Sequence, residues 1–207
     1  AGKRESRPGF HWQELRGFSA AFWWVAVIGS ILTVARFSDA FLVLRSSQLG
    51  IHDAMVPLVM VVMNVVYAIS SYPAGRLSDR IDRRVVLMIS AAILVGADIV
   101  LAQSRGTAGL IVGVMLWGLH MGLSQGLLTA MVTDTSPSDR RGTAFGLFSL
   151  LTGVAVIVAS ILAGELWDRI GAPATFYAGA GFAAIAMLGL LAQFLAPPKK
   201  GTPASRG

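Results

Sequence analysis

Six apolar stretches, each long enough to cross a bilayer, follow one another along this chain with only short connections between them. A membrane-spanning helix needs roughly 20 mostly apolar residues. In the bilayer core only helices and closed barrels satisfy their own backbone hydrogen bonds. A barrel would show alternating segments of roughly ten residues. The stretches here are long and continuous, so they predict helices at about 18–44, 54–74, 85–103, 108–132, 142–166 and 174–195. The expected fold is therefore all-α and polytopic. A transmembrane domain over 18–195 is flanked by a polar leader at 1–17 and a tail at 196–207. Hydrophobic residues make up 55% of the chain and charged residues 14%, too little polarity for a water-soluble domain of this length.

The placement of charge says more than its sum. The formal net charge is +6, but the charges sit between the apolar stretches and point to a lipid bilayer, not to nucleic acid. With the N-terminus in the cytoplasm, thirteen of the 17 Lys and Arg residues fall in cytoplasmic segments. They are Lys3, Arg4, Arg7, Arg16, Arg76, Arg80, Arg83, Arg84, Arg140, Arg141, Lys199, Lys200 and Arg206. Only Arg45, Arg105 and Arg169 fall on the other side, and Arg36 lies within a span. Cytoplasmic loops carry the excess of basic residues, so the asymmetry predicts six spans with both termini cytoplasmic, in a bacterial inner membrane. The chain has no cysteine, which removes disulfides and thiolate metal sites. No cleavable signal peptide is visible, and no cofactor is expected. The chain begins at Ala1 with a basic segment, as a piece of a longer or processed protein would.

An internal repeat fits this topology. The segments GRLSDRID (75–82) and GELWDRIG (164–171) agree at five of eight positions. Each follows the second span of a group of three, and the topology puts them on opposite membrane faces. Two inverted three-helix repeats would produce that pattern.

The loop after the second span reads Gly75-Arg76-Leu77-Ser78-Asp79-Arg80-Ile81-Asp82-Arg83-Arg84. It resembles the loop signature of the major facilitator superfamily, G-x-L-x-D-R-x-G-R-R, departing at Asp82, where the family has its second glycine. Pro137 to Gly146 resembles a second family segment, which opens the fifth helix of a half. Span count and orientation match the C-terminal six-helix half of such a transporter. The resemblance implies secondary transport of a small solute by alternating access, with a missing N-terminal half, or a second copy of the chain, as partner. It also implies a conformational latch in the loop, carried by Gly75, Asp79, Arg80, Arg83 and Arg84. Physically, Gly75 would permit a tight helix exit. Asp79 would cap a neighbouring helix N-terminus, and the arginines would hold the loop at the anionic leaflet. Asp82 would weaken the turn.

Several intramembrane polar residues are candidates for the substrate or proton pathway. His120 lies about 18 Å along its helix from Ala108, near mid-membrane, with Trp117 and Ser124 a turn to either side. Histidine can change charge near neutral pH; alternatively it bonds a neighbouring helix in its neutral form. Arg36 and Asp39, three apart on the first span, would share a face, as an outer gate or as an interfacial ion pair. Each would cost roughly 2.5–3.5 kcal/mol at the bilayer centre. Asn64 and Tyr67 on the second span either face substrate or bond between helices. Gly118, Gly122 and Gly126 form a ridge for close helix approach, as do Ala155, Ala159 and Ala163. Asp98, in the outer third of the third span, is expected to be structural or interfacial. Gln125 is expected to bond between helices, and Trp12, Trp23 and Trp24 to form an interface belt.

Other functions fare worse. No H-E-x-x-H motif, phosphate-binding loop or Ser-His-acid set at one depth suggests an enzyme. A six-helix channel, or a structural membrane subunit, is the remaining alternative, but a channel should show a re-entrant filter or charged rings. Drug export, sugar uptake and metabolite exchange all remain open as substrate classes.

Overall fold

The computed structural model describes residues 17–195. The basic leader, Trp12 and the tail with Lys199, Lys200 and Arg206 lie outside them. Seven α-helices make six spans: α1 (Ala20–Ala35), α2 (Ala40–Gln48), α3 (Val56–Ser78), α4 (Arg83–Gln103), α5 (Thr107–Thr135), α6 (Arg141–Arg169) and α7 (Ala172–Leu195). All six spans are long and apolar enough to cross a membrane. The first span differs from the single helix expected: it breaks between α1 and α2, over Arg36 to Asp39.

Local chemistry sets the boundaries. Ser19 begins α1, its hydroxyl accepting from the Phe22 amide at 3.2 Å. Pro57 sits in the first turn of α3, where a missing N–H costs nothing. The turns after α2 and α6 close on Gly50 (φ 79°) and Gly171 (φ 117°), left-handed positions that other residues adopt at a cost. Pro73 lies inside α3 and removes its bond to the turn before it.

The helix ends at residues 17–19, 78–84 and 134–141 meet at one end of the bundle, tied by the Arg83–Asp134 ion pair and by Ser19 donating to the Thr135 carbonyl at 3.2 Å. Among the described residues this basic end carries six arginines, Arg76, Arg80, Arg83, Arg84, Arg140 and Arg141.

Packing repeats in the order that the motif repeat suggests. In the first triplet's terms, α5 packs on α3 and α4; in the second's, α1 packs on α6 and α7; and the third members, α4 and α7, pack on each other. The GRLS and GELWDR segments end α3 and α6, the two second members, at opposite ends of the bundle. One core cluster, with Phe37, Leu42, Met63, Leu101, Trp117 and Phe176, fills the end away from the arginines. A second, with Phe22, Ile28, Leu87, Val132, Leu147 and Leu190, fills the basic end. By contrast α6 buries mainly Ala144, Leu147, Ala155, Ala159 and Ala163, and α3 buries only Val56, Val59, Met63 and Ala74. Their remaining apolar side chains, such as Val65, Ile69, Ile157 and Ile161, face outward.

Candidate functional site

The break in the first span places its two charged residues. The Arg36 amide still bonds the Leu32 carbonyl at 3.0 Å, but Phe37 bonds Val34 in a tighter turn at 3.3 Å. The Ser38 hydroxyl then accepts from the Ala40 amide at 3.3 Å, and α2 restarts. Arg36 and Asp39 therefore do not share a continuous helix face, and they form no ion pair within 4.0 Å. Both are half-buried. Irregular backbone at membrane depth is tolerated where protein buries it or where it lines a water-filled cavity. Arg36 lies within Coulombic reach of Asp39, Tyr67 and His120, so three other expected pathway residues gather around its guanidinium. Trp117, by contrast, is fully buried in an aromatic core, its ring 5.4 Å from Phe37, which in turn packs on Phe41 and Phe176. Asp39 lies beside the Trp117 indole, yet Nε1 makes no hydrogen bond of acceptable geometry.

Helix α5 sits between α3 and α4 and presents a different chemistry to each. Toward α3 it presents Gly118 and Gly122. A Cβ at Gly118 would collide with the Met63 carbonyl, and one at Gly122 would strike the Ser70 hydroxyl and stand 2.9 Å from the Tyr67 carbonyl oxygen. Gly126 has nothing within 4 Å, so the close-packed ridge is two glycines long. Toward α4 it presents His120. Nδ1 lies 2.9 Å from the Ser90 carbonyl oxygen and 2.9 Å from its hydroxyl, while that hydroxyl donates to the His120 carbonyl at 3.0 Å. The set is self-consistent when Nδ1 carries the proton and donates to the Ser90 carbonyl. The ring is thus placed between two helices, the bonding arrangement of the two open in the sequence. Ser124, a turn on, is also buried, with its hydroxyl unpartnered.

On α3 the expected residues divide. Asn64 is exposed and donates to the Met60 carbonyl of its own helix at 2.8 Å, so it bonds no neighbouring helix in this structure. Tyr67 donates to Gln125 Oε1 on α5 at 3.3 Å. Below that bond a cavity of about 350 Å³ opens between α3 and α5, lined by Tyr67, Ser71, Gly75, Asp79, Arg83 and Gly126, among others. It runs from the middle of the bundle to the loop at the basic end.

The loop itself departs from expectation in two ways. Gly75 makes no tight exit: it is helical, α3 continues through Ser78, and its missing Cβ opens space in the cavity wall. Asp79 ends α3 and bonds no helix N-terminus among the described residues. The cap on α4 comes instead from Asp82, the departure from the family signature, whose carboxylate accepts from the Arg84 amide at 2.8 Å. That negative charge at a helix start offsets the two arginines that follow it. Arg83 reaches across to Asp134 at the end of α5, and Arg80 is exposed.

Two residues matter more than the sequence suggested. Arg45 is buried at the far end and caps the last carbonyls of α4, with Nη2 2.8 Å from Ser104 O and Nε 3.2 Å from Leu101 O. Asp98 is fully buried between helices, not interfacial, and both of its carboxylate oxygens lack partners. A helix-facing pattern in α4 was the available signal: Leu94, Ala97, Asp98 and Leu101 fall on one stripe.

The comparisons with known proteins agree with this architecture. A profile of the Major Facilitator Superfamily matches residues 24–207. An uncharacterized MFS-type transporter of Methanocaldococcus jannaschii is 35% identical over 82% of this chain and 43% of its own length. The multidrug resistance protein MdtL of Klebsiella pneumoniae is 26% identical over 78% of this chain and 43% of its own. A crystal structure of the peptide transporter POT in complex with sulfate superposes with a TM-score of 0.70 at 19% identity, covering 84% of this chain and 37% of that one. The chain therefore spans under half the length of these relatives. With six apolar helices in an inverted packing order, and a family match from the first span onward, the chain is an integral multi-pass membrane protein and belongs to the major facilitator superfamily.

Proposed function

We propose that this chain forms one half of a secondary transporter that moves a small solute by alternating access, with proton coupling. The observation that carries the reading is the broken first span beside an open α3–α5 face. Arg36, Asp39 and Tyr67 are half-buried there, Asn64 is exposed, and the cavity leads from Tyr67 to the basic loop. Discontinuous helices of this kind form substrate and ion sites near the midplane of transporters. His120, Trp117 and Ser124 lie one layer behind that face and hold α5 in place. The second half is supplied by another six-helix segment or by a second copy of the chain, packed over the open face. The basic end lies in the cytoplasm of a bacterial inner membrane, together with both termini. The loop at Gly75, Asp79, Arg80, Arg83 and Arg84 serves as the latch between conformations, with Arg83–Asp134 as a bond that rearrangement would break. A relative's description as a multidrug resistance protein supports export of drug-like solutes as the first class to assay.

The test is uptake into liposomes driven by an imposed pH gradient, using a panel of lipophilic cations, sugars and metabolites. Saturable uptake that collapses with the gradient is expected for wild type, with the gradient dependence lost in Asp39→Asn. Gradient dependence retained in full by both Asp39→Asn and His120→Ala would refute proton coupling. Unsaturable current would show a channel, and no flux even with the second half present would show a structural subunit.

A further inference from the structure

Among the described residues, the one acid with no solvent exposure lies away from the face just described. Asp98 projects from α4 toward Gly179 of α7 and the C-terminal end of α1, and its Oδ1 and Oδ2 are both buried without a hydrogen-bond partner. Gly179 of α7 gives it room. A Cβ at Gly179 would stand 2.7 Å from Asp98 Oδ2, 2.8 Å from the Ala35 carbonyl oxygen and 2.8 Å from a Phe37 ring carbon. The carboxyl oxygen thus borders the same gap beside Gly179 as a carbonyl freed by the break in the first span, since the residue that would bond Ala35 O in a continuous helix is Asp39, which has left the helix.

Two acceptors meeting in a dry interior require a positive charge or a donor between them. No neighbour supplies it. Among the described residues, Asp98 forms no ion pair within 4.0 Å and neither of its carboxylate oxygens has a hydrogen-bond partner. Arg36 makes no side-chain hydrogen bond or ion pair among the described residues, and Arg45 is spent on the carbonyls at the end of α4. An isolated carboxylate in such a place is far costlier than a neutral one. A metal cation would need more oxygens than the Asp98 carboxylate and the Ala35 carbonyl offer, and the third neighbour of the gap is a Phe37 ring carbon. A proton needs only the two. We propose that Asp98 and the Ala35 carbonyl form a proton-binding site, in which the Asp98 carboxylic acid donates to the carbonyl and pins the break of the first span against α4 and α7. Loss of the proton leaves two repelling oxygens at the hinge and frees the break to move. The site depends on the fold alone and stands whether or not the chain carries a solute.

Infrared spectroscopy of the reconstituted protein reads it directly. At neutral pH, wild type should show the carbonyl stretch of an unhydrated carboxylic acid. That band should shift on 13C labelling of aspartate carboxyls and disappear in Asp98→Asn, whose amide can still donate to Ala35. It should survive in Asp39→Asn and be the same in sodium and in a large organic cation. Should Asp98→Asn fail to fold, Gly179→Ala provides the second variant: its Cβ crowds the gap that both oxygens border and should move the band's frequency. No such band in wild type, a band untouched by Asp98→Asn or by Gly179→Ala, or a band removed by sodium would each overturn the proposal.

Discussion

His120 shows how a single residue's chemistry depends on which neighbour the fold supplies. Its type and depth pointed equally to a titrating pathway group and to a bonded one. Only the crossing of α4 over α5 decides where the ring sits, and Ser90 is 30 residues away in sequence. If the ring acts as interhelical glue, His120→Ala, which deletes its bond to the Ser90 carbonyl, should lower stability by roughly 0.6–1.7 kcal/mol when read by unfolding in detergent. Stability unchanged by His120→Ala would place the ring's importance elsewhere. Asp98 teaches the complementary lesson. Its depth was legible, but its company was not, because Gly179 and Ala35 reach it from two other spans. Asp82 was misjudged for a different reason: a family pattern marked it as a departure, while its own chemistry, a carboxylate one residue before a helix, made it an N-cap.

At the scale of elements, the helices and their order were legible because each span is a long apolar run with polar punctuation. The break between α1 and α2 was not. The segment from Ala35 to Ala40 contains neither Pro nor Gly, and the apolar runs on either side of it read as one helix. What opens it is competition from Ser38 for the backbone, together with tertiary packing of Phe37 into the aromatic core. The glycine ridge was visible in the sequence, but its length was not. The contacts predict a sharp contrast along α5. Gly118→Val should lower stability by about 1–3 kcal/mol, since the Met63 backbone cannot yield without moving α3. Gly126→Ala, which faces open space, should leave the thermal midpoint in detergent unchanged. Equal effects at the two positions would mean that α3 and α5 are not packed as described.

For the molecule as a whole, the account rests on an even number of crossings, with the arginine-rich connections gathered at one end. Everything else follows from it: the opposite placement of the two repeat segments, the inverted packing of the triplets and the cavity leading to a basic loop. The absence of native cysteine allows a direct check, because any introduced thiol is the only one present. Single variants Ser78→Cys and Ser138→Cys at the basic end, and Gln48→Cys and Arg105→Cys at the other, can be probed in sealed, oriented vesicles with a membrane-impermeant thiol reagent. The account predicts that Ser78→Cys and Ser138→Cys label from one side only, and Gln48→Cys and Arg105→Cys from the other side only. Labelling of Ser78→Cys and Ser138→Cys from opposite sides would contradict it.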